Sequence, residues 1–198
     1  MIYFTADTHF GHEHFLKYTY RPFSSVQEMT NYIIDSINNT VNINDVLYIV
    51  GDFCGRTGNP MKYANKIKCQ NMHLILGNHD IEKRCGDYFT SVNQYKEIKH
   101  QGQRIIMSHY PMRRWSKDYR GSWMLYGHVH GHLSHEDFSD NRKTLDVGVD
   151  NSPHGFRFGT PWSFDQIKRF FRRKDQKSSS LGIDIDDSLL YDKRNVVK

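Results

Sequence analysis

Cysteine is scarce in this 198-residue chain: Cys54, Cys69 and Cys85 are odd in number and form no close pair. That argues against a disulfide framework and against a thiolate zinc site. No apolar run approaches the roughly eighteen residues that a membrane span needs. The opening Met1-Ile2-Tyr3-Phe4-Thr5-Ala6 meets Asp7 at once, without the basic stretch and long apolar core of a secretory signal, so a cytoplasmic location is expected. Charge of one sign is lacking too. The chain has 27 Lys and Arg against 22 Asp and Glu, a formal +5 that suits anionic partners without demanding nucleic acid. There is no internal repeat, and the length allows one well-cored α/β domain rather than two of typical size. A domain over 1–174 is expected, then a polar, mobile tail over 175–198 with Ser178-Ser179-Ser180 as its hinge.

Histidine is what the chain has in excess. There are 12, several beside aspartate, and imidazole with carboxylate is the donor supply that transition metals prefer over magnesium or calcium. Their placement follows a pattern. Met72-His73-Leu74-Ile75-Leu76 reads as a buried strand, and it stops at Gly77-Asn78-His79-Asp80. By itself Gly-Asn is also a common turn pair. Four other apolar runs end alike: Ile2 to Ala6 in Asp7-Thr8-His9, Val46 to Val50 in Gly51-Asp52, Arg104 to Met107 in Ser108-His109, and Trp123 to Tyr126 in Gly127-His128-Val129-His130. Neighbouring strands of one sheet would gather these ends, where ligands of α/β sheets bind.

Helices are expected between the strands. Ser25 and Glu28 form a capping-box pattern ahead of Val26, Met29, Ile33 and Ile37 at helical spacing. Pro60 to Lys68 and Ile81 to Tyr88 read as short helices, and Ser163 with Gln166 caps a last one carrying Phe164, Ile167 and Phe171 inward. Val92 to Ile98 reads as an edge strand and Thr144 to Asp150 as a final strand. Alternating strands and helices predict crossover units. The segment Arg113 to Arg120 is basic and aromatic; it is either a solvated loop or a place where Arg113 and Arg114 clamp phosphate oxygens with their planar forks.

Through D-x-H at Asp7 to His9, G-D at Gly51-Asp52, G-N-H-D at Gly77 to Asp80, the lone His109 and G-H-x-H at Gly127 to His130, the chain resembles the calcineurin-like metallophosphoesterase family. The motifs run in order from residue 1 to about residue 171. The resemblance implies an α/β fold, a four-layer αββα sandwich of two mixed sheets flanked by helices, with a dinuclear metal site at strand C-terminal ends. It implies two divalent transition-metal ions, manganese foremost among manganese, iron, nickel, cobalt and zinc. Asp7, His9, Asp52 and His130 would hold one ion, and Asp52, Asn78, His109 and His128 the other, with Asp52 bridging. A hydroxide held between the ions would attack a phosphate ester in line, and His79 would be the catalytic group at the leaving oxygen.

The implied activity is that of a metal-dependent phosphodiesterase acting on a phosphate-ester substrate, with no membrane partner. One alternative is a nuclease or cyclic-nucleotide phosphodiesterase, with a nucleotide or nucleic acid stacked on Trp115, Tyr119 and Trp123. The other is a non-catalytic interaction module whose partner binds the tail. Relatives commonly carry an aspartate three residues after that of G-D to orient the catalytic imidazole, whereas Gly55 stands there in this chain. Asp80 or a backbone carbonyl are the candidates to orient His79. His12 and His14 either contact substrate or are surface and packing residues.

Overall fold

The computed structural model describes residues 1–19, 21–139 and 142–179. Its first half is a chain of crossovers. Strand β1 (Ile2–Thr5) leads to helices α1 (Glu13–Tyr18) and α2 (Val26–Thr40), then β2 (Val46–Ile49), α3 (Pro60–Ala64), β3 (Asn71–Ile75), α4 (Glu82–Cys85) and β4 (Ser91–Asn93). The second half holds β5 (Tyr95–His100), β6 (Gln103–Ser108), β7 (Trp123–Tyr126), α5 (Ser134–Ser139), β8 (Thr144–Asp146), β9 (Trp162–Ser163) and α6 (Phe164–Ser179). Helix α6 passes residue 174, and residues 180–198 of the expected tail lie outside the described residues.

Two mixed sheets result. One runs β4-β3-β2-β1-β9, parallel except for β9, and the other runs β5-β6-β7-β8, parallel except for β5. Because successive strand residues point to opposite faces, alternate residues divide between the layers. Phe4, Ala6, Tyr48, Val50 and Ile75 of the first sheet meet Ile105, Met107, Trp123, Leu125 and Leu145 of the second in a shared core. Tyr3, Leu47, Ile49, Met72 and Leu74 face outward beneath Met29, Ile33 and Ile37 of α2. Ile106, Met124 and Tyr126 cover the far face of the second sheet with Trp115 and Leu133. The molecule is thus an α/β sandwich of two mixed sheets flanked by helices.

Both helix caps form, the second as a full capping box; at the first, Glu28 accepts from the Ser24 N–H instead of that of Ser25. Ser25 Oγ accepts from the Glu28 N–H (3.1 Å), and Ser163 exchanges bonds with Gln166 in both directions, at 3.2 and 2.7 Å. The expected edge strand Val92 to Ile98 instead divides: β4 joins the first sheet and β5 the second, with Gln94 between them. Val92 and Ile98 fall on one alternation that neither glycine nor proline interrupts, so periodicity alone does not reveal the change of sheet. The final strand is also shorter than expected, giving way after Asp146 to a 3-10 turn at Val149–Asn151.

Candidate metal centre

The parallel core strands deliver their ends to one place. Among the described residues, seven non-glycine residues have positive φ, and five of them are Asp7, His9, Asp52, His128 and His130. Such backbone is costly and persists where surrounding contacts impose it, which is common at functional sites. Here the contacts are identifiable. The N–H of Asp7 bonds to Gly51 O (3.0 Å) and that of His9 to Asp52 O (2.9 Å), lacing the ends of β1 and β2 together. Two glycines permit the close approach: a Cβ on Gly77 would lie 2.2 Å from Asp52 Oδ1, and one on Gly127 2.6 Å from Asp7 Oδ2.

The structure brings all eight motif residues, Asp7, His9, Asp52, Asn78, His79, His109, His128 and His130, to this point. Asp52 lies at the centre. Its Oδ2 is 3.5 Å from His9 Nε2 and 3.4 Å from His109 Nε2, and its Oδ1 accepts from the His79 backbone N–H at 2.8 Å. Asn78 Oδ1 stands 3.1 Å from both His109 Nε2 and His128 Nδ1. Both Asp7 oxygens accept from the His128 N–H, at 3.1 and 2.9 Å.

Outer partners fix several ring orientations. His109 Nδ1 donates to Val50 O at 3.0 Å, leaving Nε2 free to coordinate. His130 Nδ1 is 2.7 Å from Asp150 Oδ2, which likewise frees its Nε2. Asp150 is in turn held by Arg21, whose Nε and second terminal nitrogen donate at 2.9 and 2.7 Å while that same terminal nitrogen reaches Asp7 O at 2.7 Å. Arg21 and Asp150 escaped the sequence reading. Asp150 carried the same signal as Asp52, a carboxylate closing an apolar run, whereas Arg21, 129 residues from Asp150, left no local mark.

The electrostatics fit cations. Burial raises the Asp7 carboxyl well above the ordinary carboxylate range. It tends to raise Asp52 too, but hydrogen bonds from His109 and the His79 N–H outweigh it and hold that carboxyl low. Burial opposes a proton on His109, yet the Asp52 bond and the Asp7 and Asp52 charges win and lift it to about 9. His9 is driven the other way, by burial first and then by Arg21 and His130. Both its ring nitrogens are buried without a hydrogen-bond partner. A buried, neutral imidazole with an unspent lone pair beside carboxylates suits a Lewis acid. Three overlapping donor groups, Asp7-His9-His130, His9-Asp52-His79 and Asp7-Asp52-His109, each have ligand atoms within 4.8 Å of one another. The clustered donors therefore fit divalent metal, with Asn78 and His128 beside them.

An open cleft leads to this centre, lined by His12, His14, Phe15, Tyr18, Asp52, Asn78, His79, His128 and His130. Helix α1 supplies its wall, with Phe15 stacked on His9 at 3.4 Å between ring centroids. Arg113 and Arg114 are exposed and do not line the cleft, and Arg114 bonds instead to Asp118. Trp123 is buried against Phe164 and Phe171 and offers no free face to a base; Trp115 is half-buried with its Nε1 bonded to Ser122, and Tyr119 is exposed.

Across residues 1–177 the sequence matches the model of the calcineurin-like phosphoesterase family. The chain belongs to that family. It is 31% identical over 153 residues to MJ1445, an uncharacterized protein of Methanocaldococcus jannaschii, covering 75% of this chain and 81% of that one. Among solved structures it is similar to AQ665, a protein of unknown function from Aquifex aeolicus, with a TM-score of 0.61 and 25% identity over 76% of this chain and 90% of the other. Family membership and the donor set together make this a metal-dependent phosphoesterase scaffold with its motif residues intact.

Proposed function

We propose that the protein is a dinuclear metal-dependent phosphodiesterase. The observation that carries this reading is the position of Asp52 Oδ2, facing His9 Nε2 at 3.5 Å and His109 Nε2 at 3.4 Å, so that one carboxylate is common to two donor sets. Two divalent transition metals bound there supply charge neutralisation for the phosphoryl group and a water acidic enough to attack phosphorus near neutral pH. Manganese is the first candidate among manganese, iron, nickel, cobalt and zinc, all of which accept nitrogen and oxygen donors.

The protein's own groups then divide the work. The His128 N–H holds both Asp7 oxygens and the His79 N–H holds Asp52 Oδ1, which aims the carboxylates. His79 lines the cleft with a ring nitrogen within 4.8 Å of donor atoms of His9 and Asp52, and its role is to give a proton or hydrogen bond to the departing oxygen. A diester is favoured over a monoester by charge: none of the nine residues lining the cleft is Lys or Arg, so a singly charged phosphate is the better match. Arg113 and Arg114 enter as phosphate contacts only if their loop reaches the substrate, and no step depends on them.

The test is hydrolysis of an aryl phosphodiester by purified protein with manganese, nickel, cobalt or iron added. Turnover with metal and loss with chelator are expected; no turnover with any of them overturns the proposal. The nuclease alternative retains one supporting observation, Tyr18, 65% exposed and stacked on His14 at the cleft. Steeply salt-dependent binding of a single-stranded oligonucleotide would favour it.

A further inference from the structure

A second pocket stands beside the metal cleft, and its lining has the opposite character. It is an open hollow of about 440 Å³, the size of a small-ligand site, between the segment 57–60 and helix α4. Lys83 and Arg84 line it with Thr57, Asn59 and Tyr88, and no carboxylate does so among the described residues. Glu82 is exposed but stays outside the lining. Asp80 is turned away, its Oδ2 accepting from the N–H groups of Asp52 (2.8 Å) and Gly77 (2.9 Å) and its Oδ1 from Phe53 (3.0 Å). Two cations, hydroxyls and an amide without a fixed negative charge are the donor supply of an anion site. The cleft, in contrast, has neither Lys nor Arg in its lining.

The donors are positioned but not used up. Arg84 gives one terminal nitrogen to Arg56 O at 3.1 Å, which braces the guanidinium against the 55–58 turn and leaves the rest of its planar fork for a ligand. Asn59 spends its Oδ1 on the Met61 N–H (3.1 Å), so its amide nitrogen remains. Lys83 is exposed and makes no ion pair or hydrogen bond among the described residues. One turn separates this pocket from the cleft. Gly58, in the pocket lining, donates its N–H to Gly55 O at 2.7 Å. Gly55 in turn packs on His12, in the cleft lining, so closely that a Cβ on it would lie 3.1 Å from His12 Cγ. Both places also belong to the same two loops, since Asp52 and His79 lie a few residues before Thr57 and Lys83.

We infer that this pocket is a subsite for a second phosphate, carried by a substrate whose scissile diester sits in the cleft. The inference rests on the phosphodiesterase reading and narrows its substrate class to diesters that bear a further phosphate group. The division of labour follows from the two linings. Metal neutralises the scissile group, where no cationic side chain stands, and Lys83 and Arg84 neutralise the other, where no metal donors gather. A phosphate that takes no part in the reaction is held equally in the ground state and the transition state, so its effect falls on KM and not on kcat.

The experiment uses the full manganese-loaded chain and two pairs of nitrophenyl diesters. One pair is thymidine 5′-nitrophenyl phosphate with and without a 3′-phosphate, the other nitrophenyl propyl phosphate with and without a phosphate at the far end of the propyl chain. The added phosphate should lower KM by about threefold to tenfold with kcat little changed, a gain that shrinks as salt rises. A gain in both pairs means that phosphate alone is recognised, and a gain confined to the thymidine pair means a nucleotide source; either supports the subsite. Lys83→Ala/Arg84→Ala should bring each phosphorylated ester to the KM of its twin. Because Arg84 also braces the turn, Lys83→Ala is tested alone and should lose part of the gain. Arg172→Ala, which removes an exposed cation of α6, should keep it whole. Independently of turnover, thymidine 3′,5′-bisphosphate added to the zinc-loaded protein should displace the nitrogen-15 resonances of Thr57, Gly58 and Arg84, and less so in Lys83→Ala. Equal KM values within both pairs, an undiminished gain in the double variant, an equal loss in Arg172→Ala, or unmoved Thr57 and Arg84 resonances would overturn the inference. Should wild type hydrolyse none of the esters, the functional reading fails while the spectra still decide whether the pocket takes a phosphate.

Discussion

The two halves of the metal centre are built to different standards. The half around Asp7, His9 and His130 is the more enclosed: Asp7 and His9 are fully buried, His9 is stacked on Phe15, and His130, which reaches the cleft, is braced by the Asp150–Arg21 pair. The half around Asn78, His109 and His128 opens on the cleft through Asn78 and His128, while His109 is buried; Asn78 is half-buried and its oxygen is shared between the two imidazoles. The deep half has its geometry fixed by the fold. The open half can adapt to what enters. One ion should therefore be held tightly and exchange slowly, while the other is weaker and closer to substrate.

Asp52 should be the costliest position because it serves both halves. Asp52→Asn is expected to lower phosphodiester turnover by about a thousandfold or more and to reduce bound metal below two ions per chain, measured by steady-state kinetics and elemental analysis. Arg21→Met attacks only the deep half. Removing one partner of a buried ion pair leaves a stranded charge, so a loss of about 3–5 kcal/mol is expected in urea unfolding. A loss below about 1 kcal/mol would mean that the deep half does not depend on its brace.

Asp150→Asn should be milder, since the amide still fills the site. It should weaken the deep ion about 10–100-fold in competition with a chelator, and leave the open ion nearly untouched. Graded chelation of wild type offers a direct comparison: the halves should empty in two steps, the open one first. A single step would erase the distinction between them.

The smallest effect is on acid stability. Burial opposes ionisation of Asp150, but Arg21 and the His130 bond overcome it and bring its carboxyl to about 2, below the ordinary 3.8. A depressed carboxyl adds stability that is fully present above its unfolded value and is lost as pH falls through the folded one. The Asp150 contribution should hold above about pH 4 and fade toward about pH 2. In urea melts Asp150→Asn should flatten that acid limb relative to wild type, with Asp52, also held low, accounting for part of what remains.

Much of this was legible because strands, turns and caps are local. Each apolar run and the residue that ends it lie close together in the chain, so Asp7, His9, Asp52, Asn78, His109, His128 and His130 could be picked out together. The parts that were not legible depend on long-range contact. Gln94, where the chain leaves one sheet for the other, has no distinguishing periodicity on either side. Trp123 was a plausible base platform by composition, yet its side of β7 faces the shared core. Asp80 looked available to His79 by adjacency, but its oxygens turn back to the N–H groups of Asp52, Phe53 and Gly77.

Family, crossover architecture and donor types are already set by the order of residues, because hydrophobic period and motif spacing are properties of short stretches. Folding in three dimensions settles the rest: which half of the centre is closed, that Arg21 reaches Asp150 across 129 residues, and which ring stands beside His79. Those depend on where separate segments meet in space, and the residues that meet there, His12 over Gly55 and Arg21 against Asp150, carry no mark of it in their own neighbourhoods.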